Sequence, residues 1–433
     1  MNDQANTDRT AARLRDALCS AANVMVVHDV PETAPSRQPI DRARQRAPRN
    51  WGRLAPLAAA AGIVVIAAGT VIGTHLADST GTHAGTGSGT AASNQTTTGA
   101  TAPASRPEFY LTVTYPASGQ NVLQFQVRRT DGGAVTSTKT IPAANVGWGG
   151  YLASAAGDRT FYFSHYVCST TVAPDTTFDR ITITSSGRIS GFAPAGPPVK
   201  GMVTAFAVSP GGTQVAYNAL PGVCAGGGFR STGASSVSVE DLSTGAVKTW
   251  QDEAAQAAVG AAQPAIGRVS WTPDGHTVVL DEAGRGPDRG DLTVFALDPS
   301  GGGGSLQAHS ATLLKQNANC TTCVTTALAG PEGRLIELES RGTGSQTRVQ
   351  VVRVPTKAGR PATVLYTGPR GAPANAADNT DLFTDASGSW PLLWPSGSLS
   401  AQNQEFSPAG WVGDGQLHPL TGLAQIFPQG IAW

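Results

Sequence analysis

Charge is what this sequence has least of. Of 433 residues only 14% are Asp, Glu, Lys or Arg, against about a quarter in an ordinary soluble domain. The 30 basic and 30 acidic residues cancel, so no net field draws in a polyanion, and a nucleic-acid partner is not expected. Catalytic signatures are missing too. The chain has no Gly-x-Ser-x-Gly nucleophile elbow, no phosphate loop ending in Gly-Lys-Ser/Thr and no His-Glu-x-x-His pair. A mainly helical protein is also disfavoured. The 52 glycines and 29 prolines each cost roughly 1 to 3 kcal/mol in a helix interior. Wholesale disorder is excluded by a hydrophobic content of 40%.

What is present begins with one uncharged run. Leu54 to Leu76 spans 23 residues without an Asp, Glu, Lys or Arg, and about 20 apolar residues suffice to cross a ~30 Å hydrocarbon core. Residues 37–53 carry six arginines against Asp41. By the positive-inside rule the N-terminus stays in the cytoplasm and the C-terminal bulk is exported. The basic region is too long for a cleaved signal peptide, so 54–77 is expected to be a signal-anchor helix with the bilayer as partner. Gly69 and Gly73 form a GxxxG spacing that arises easily by chance in so Ala-rich a helix.

On the inner side, residues 1–53 form a cytoplasmic tail. Thr7 to Ala22 places Leu14 and Leu18 at i, i+4, predicting one short helix at about 8–22 that is marginal by itself in water. It reads as a frayed tail beside the membrane or as a docking helix for a cytoplasmic partner of residues 7–22. On the outer side, residues 78–107 are almost entirely Thr, Ala, Gly, Ser and Pro, a flexible tether spanning roughly 30 Å. Gly85 to Gly89 lies in that tether and is low complexity, with no strand before it to make a dinucleotide loop.

Residues 108–433 repeat. Val208-Ser-Pro-Gly-Gly-Thr-Gln-Val-Ala-Tyr217 and Ser270-Trp-Thr-Pro-Asp-Gly-His-Thr-Val-Val-Leu280 are the clearest copies, with weaker ones at 155–163, 329–338 and 384–393. Each reads as strand, tight turn, strand. Proline presets φ, Asp or Glu bonds back to the backbone and Gly accepts positive φ. The turn glycines Gly157, Gly212, Gly275, Gly333 and Gly388 are 55, 63, 58 and 55 residues apart. A second hairpin follows each copy, clearest at Val237 to Trp250 with its Asp-Leu-Ser-Thr-Gly turn, and again at 124–140, 180–189, 292–306 and 348–366. Four strands per 55 to 60 residues is the size of a propeller blade. With an N-terminal sheet at Phe109 to Thr140, the count is six blades, seven being the alternative. The last stretch, Trp411 to Trp433, either supplies outer strands of the sixth blade or closes the ring on N-terminal strands. The fold class is therefore all-β, a propeller preceded by one transmembrane helix and one short cytoplasmic helix.

These turn and hairpin motifs resemble those of WD-repeat-like and TolB-type β-propellers. With the basic tail and anchor, the whole chain resembles exported propeller proteins of actinobacteria, as do its 25 Arg against 5 Lys. It departs from true WD repeats in lacking their Gly-His and Trp-Asp pairs, so their hydrogen-bond network is not carried over.

Cys19 stands alone in the tail. Cys168, Cys224, Cys320 and Cys323 lie in the exported part, where disulfides persist. Cys168 and Cys224 follow their turn glycines by 11 and 12 residues, which predicts a bridge between adjacent blades and leaves Cys320 to close on Cys323. No cofactor and no metal site is predicted. The acidic stretches Asp281 to Asp291 and Asp378 to Asp385 read as solvated loops, lacking calcium-loop spacing. His165, His276, His309 and His418 are scattered. Trp148, Tyr151, Trp390 and Trp394 fit either a binding face or blade cores. The expected function is a membrane-anchored, extracytoplasmic binding module for a protein or envelope ligand, and not an enzyme. Two alternatives stand beside it. One is a regulator relaying ectodomain binding to the cytoplasmic partner, weakened by the absence of a zinc-binding inner module; the other is a propeller hydrolase.

Overall fold

The computed structural model describes residues 105–433 apart from 115–121, 143–150, 156, 168–172, 226–227, 254–264, 285–290, 318–319, 321, 344–345, 357–360, 373–375, 378–379, 396–408 and 421–429. The tail, the anchor segment and nearly all of the tether lie outside the described residues, as do Cys168 and Trp148. Among the described residues no helix is long and apolar enough to cross a membrane.

The chain folds as a six-bladed β-propeller. From the centre outward, blade 1 consists of Gly430–Ala432, Phe109–Thr114, Val122–Arg129 and Val135–Pro142. Blade 2 is Tyr151–Ser154, Thr160–Val167, Asp175–Ile183 and Ile189–Pro194. Blade 3 is Met202–Val208, Gln214–Leu220, Ser236–Asp241 and Val247–Gln251. Blade 4 is Ala265–Trp271, Val278–Ala283, Leu292–Leu297 and Ser310–Gln316. Blade 5 is Thr322–Ala329, Arg334–Arg341, Arg348–Pro355 and Thr363–Thr367. Blade 6 is Thr380–Thr384, Pro391–Pro395, Gly410–Gly413 and Gln416–Pro419.

Both readings of the C-terminal stretch hold. Trp411 and His418 sit in the outer strands of blade 6, while Gly430–Ala432 becomes the innermost strand of blade 1, pairing Val113↔Gly430 and Leu111↔Ala432. This pairing closes the ring and removes two open sheet edges. The outer part of blade 4 departs from the expected hairpin at 292–306. Gly304–Ser305 leaves it to add a parallel fifth strand to blade 3, a one-turn helix follows at Leu306–His309, and the fourth strand begins only at Ser310. The run Gly301 to Gly304 has no side chains to hold it against blade 4.

Packing explains why strands here do not alternate cleanly between inside and outside. Each blade is covered on both faces by its neighbours, so Phe109–Thr114 is buried at all six positions. Six apolar clusters fill the six seams. The seam between blades 1 and 2 holds Phe125, Phe161 and Phe163, and the one between 3 and 4 holds Trp250, Trp271 and Phe295. The closing seam between blades 6 and 1 is the most aromatic, with Tyr110, Trp394, Trp411 and Trp433.

All innermost strands run the same way, so the two ends of the propeller differ. At one end, the turn end, the inner hairpins reverse through Gly157, Gly212, Gly275, Gly333 and Gly388, each with positive φ. Gly388 is held most tightly: its φ is +63°, and a Cβ there would lie 2.8 Å from the Ala329 carbonyl oxygen. Aspartates pin these turns and the outer ones. Asp385 accepts from the backbone N–H groups of Ser389 and Trp390 at 2.9 Å, and Asp241 from those of Ser243 and Thr244 at 2.9 Å. The latter bonds and the two hydroxyls draw Asp241 down to about 2. At the opposite, loop end the connections lengthen. There blade 3 inserts the small hairpin Gly222–Ala225 and Gly228–Ser231.

Candidate functional site

The innermost strands of all six blades line a central cavity of about 100 Å³. Register sets what faces it. The inner turns of blades 2 to 6 begin at Ala155, Ser209, Thr272, Gly330 and Asp385. Four residues earlier in each strand stand Tyr151, Ala205, Arg268, Thr326 and Asp381. One layer of the channel thus gathers a phenol, a guanidinium and a carboxylate from three blades, on the loop side of the inner strands.

Arg268 and Asp381 form an ion pair across this layer, with side chains 24% and 28% exposed. Both therefore remain in reach of solvent. Arg268 also lies 5.4 Å from the Phe383 ring centroid, a cation–π distance. Behind it, directly opposite on the next strand, stands the buried Asp281, which accepts from the Ala327 N–H at 3.4 Å. Burial pushes Asp281 up to about 6, against the pull of Arg268. Burial likewise raises the Tyr151 phenol, opposed by Arg268, and it pulls Arg268 below its usual value against the charges of Asp281 and Tyr151. Such a layer presents a forked donor, an acceptor and a hydroxyl to a polar ligand, with the Arg268–Asp381 pair as the element it would exchange with.

Other acidic groups are buried in the blades around it. Glu282 is pushed up to about 8 by burial and by the neighbouring Asp252 carboxylate, which itself accepts from Gln307 Nε2 at 3.0 Å. Glu337 is pushed up to about 7 by burial and by Glu339. Asp281 and Glu282 are strand residues 3% and 7% exposed, not solvated loop acids as their sequence context suggests, because the middle strands of a blade are covered on both faces. Asp381 pairs with the channel-lining Arg268, and Asp385 belongs to its turn. Asp378 lies outside the described residues. Among the described residues no three His, Cys, Asp or Glu side chains are grouped to hold a metal.

Between blades 1 and 2, His165 Nε2 sits 3.0 Å from Asp179 Oδ2 and 3.3 Å from Thr177 Oγ1, and its ring stacks on Phe163. A carboxylate-oriented imidazole is part of what acid–base chemistry requires. Among the described residues its Nδ1 is buried without a hydrogen-bond partner. Sequence spacing alone misses this pair. It follows only from the register His165↔Thr177 and Phe163↔Asp179.

The remaining candidates fall as follows. Cys320 and Cys323 are joined, with Cα atoms 5.2 Å apart. Cys224 is disulfide-bonded, and its partner lies outside the described residues. Its hairpin reaches Tyr166 of blade 2 through Phe229, ring centroids 6.5 Å apart. Trp394 fills the closing seam at 8% exposure, while Trp390 is only half-buried at the rim of blade 6. His276 lies in a turn, its N–H bonded to Asp274.

No family model and no curated protein matches the sequence. Solved propellers are similar in fold at low identity. A puromycin hydrolase mutant complexed with PGG is 16% identical over 73% of this chain and 46% of its own, at a TM-score of 0.42. The β-propeller domain of the Trilobed protease from Pyrococcus furiosus is 9% identical over 64% and 73%, at 0.35. The putative TolB from Agrobacterium tumefaciens is 11% identical over 62% and 85%, at 0.30. The expectation that the chain is not an enzyme does not stand: the structures similar to it include a puromycin hydrolase and the β-propeller domain of a protease, and a fold shared at this identity assigns the chain neither way.

Proposed function

We propose that the propeller is a ligand-binding module, carried outside the cytoplasm on the anchor at 54–77, and that it takes a protein or envelope ligand at the loop end of its channel. One observation carries this reading. Tyr151 and Arg268 line the channel, and Arg268 pairs with Asp381 of blade 6, the ion pair still about a quarter exposed. A charge pair serving stability alone gains little from such a position. The inserted hairpin at the same end, with Val223 40% exposed, adds surface for contact. The anchor and its orientation rest on the uncharged run and the arginines before it.

The test is affinity capture of the full chain, cross-linked in the cells that make it. An envelope component recovered with wild type and lost with Arg268→Gln, at unchanged melting temperature, supports the reading. Equal recovery from both overturns the channel site. Cleavage of the propeller by external protease in spheroplasts tests its export, and full protection in intact spheroplasts contradicts it. Turnover of a captured component would assign the layer to catalysis on that ligand.

A further inference from the structure

Residues 105–108, just before the first strand, lie across the turn end and touch three blades. Arg106 pairs with Asp131 in the outer turn of blade 1 and lies over the Trp411 ring of blade 6, 4.7 Å from its centroid. The Pro107 carbonyl accepts from Thr130 Oγ1 at 2.8 Å, and the Glu108 carbonyl from the Thr130 N–H at 2.9 Å. The Glu108 carboxylate is shared between Arg129 of blade 1 at 2.9 Å and Arg159 of blade 2 at 2.8 Å, and Arg159 above all holds it below the usual carboxylate range. One short segment thus bridges both seams that flank blade 1, the closing seam included. Its ion pairs are a third to a half exposed, so each is weak. The segment can let go while the buried strands stay in place.

The inner turn of blade 2 is shaped to receive it. Three residues after the inner turn begins, blades 3 to 6 have Gly212, Gly275, Gly333 and Gly388, with φ of +69°, +72°, +65° and +63°. Blade 2 has Asp158 at that place, with φ +47°, where a side chain is costly and glycine is the ordinary choice. The Asp158 carboxylate accepts from the backbone N–H groups of Glu108 and, at 3.2 Å, of Phe109. Turn formation alone calls for glycine here; the carboxylate serves the entering chain. Residues 105–108 also wall a cavity of about 590 Å³ at the turn-end mouth of the channel, which shares Asp385, Ala386 and Trp433 with the channel lining. We infer that residues 105–108 are a releasable latch. Held by Asp158 and Arg159, they fasten blade 1 to blades 2 and 6; a pull on the chain before them frees the segment, loosens both seams and widens that mouth. The source of the pull rests on the anchor proposed at 54–77, whereas the latch itself does not.

Hydrogen exchange on the full-length chain in detergent tests the latch through Asp158→Gly. If Asp158 only shapes its turn, glycine relieves the strain and exchange is unchanged or slower throughout. The latch predicts about tenfold faster exchange at Glu108, Phe109 and Thr130 and about threefold at Gly430–Ala432, with blade 4 unchanged. Asp158→Asn, which keeps an acceptor oxygen, should restore most of the protection. In an optical trap, the same chain pulled between its N-terminus and a handle on the exposed Ser300 of blade 4 should give a small reversible step before it unfolds, and Asp158→Gly should abolish that step. Unchanged exchange at Glu108 and Gly430–Ala432 in Asp158→Gly, or no reversible step in wild type, overturns the latch. Full protection of the propeller in intact spheroplasts, with the step retained, overturns the anchor reading and upholds the latch.

Discussion

The two ends of the propeller obey different chemistry. At the turn end the chain reverses in few residues, glycine supplies positive φ, and aspartates accept backbone N–H bonds in water. At the loop end the connections are long, and acidic side chains are buried or face the channel. Local sequence chemistry builds the first end; only the assembled ring builds the second. Conformation is therefore over-determined at the turn end, whereas the loop end concentrates polar groups that are costly to bury and whose placement calls for a reason beyond folding.

Breaking the closure should have the largest effect. Trp433 is 1% exposed in the seam that closes the ring, and Trp433→Ala should cost about 3 to 5 kcal/mol in urea unfolding. Next come the turns. Gly388→Ala meets both the +63° φ and the Ala329 carbonyl, and should cost about 2 to 4 kcal/mol. Gly157→Ala has a φ of +91° but open space around a new Cβ, and should cost about 1 kcal/mol. Equal losses at the two glycines would mean that the close approach at Gly388 does not constrain the turn.

The two ends also titrate with opposite sign. Asp241 is drawn down to about 2, so its contribution is complete above its unfolded value near 3.8 and is lost as pH falls toward 2. Glu282 is raised to about 8. The folded form then holds a proton the unfolded chain releases near 4.5, and stability falls as pH rises from there to about 8. Glu282→Gln should accordingly stabilise the propeller by about 2 kcal/mol at pH 8.5 and change little at pH 5. Denaturant midpoints across that range check it; a gain of equal size at both pH values would mean that Glu282 holds no proton in the folded state. The smallest expected stability effect is that of Arg268→Gln, about 1 kcal/mol or less at pH 5, because Asp281 is then largely protonated and the Asp381 partner is 28% exposed to water.

The turn end was legible because its signals are local. Ser-Pro-Gly-Gly, Thr-Pro-Asp-Gly and Asp-Leu-Ser-Thr-Gly each specify their own turn, and their spacing gives the blades. The closing strand was legible only as one of two roles for 411–433, since Gly430-Ile-Ala432 is three residues long and carries no pattern. The channel layer was not legible. Tyr151, Arg268 and Asp381 lie more than a hundred residues apart and share only a distance from their turns. Asp281 and Glu282 misled because the Gly- and Pro-rich run that follows them marks a loop, whereas the two acids themselves end a blade's middle strand and are covered on both faces.

Blade 3 can report which end of the propeller meets a ligand, because it carries an exposed valine at each end: Val223 in the inserted hairpin at the loop end and Val247, 48% exposed, at the turn end. A photo-crosslinking residue placed at each position of the full chain, activated in intact cells, reports which end meets the macromolecular ligand. A discrete adduct is expected from position 223, lost with Arg268→Gln, and none from 247. Adducts from 247 alone, or equal adducts from both that survive Arg268→Gln, would contradict it.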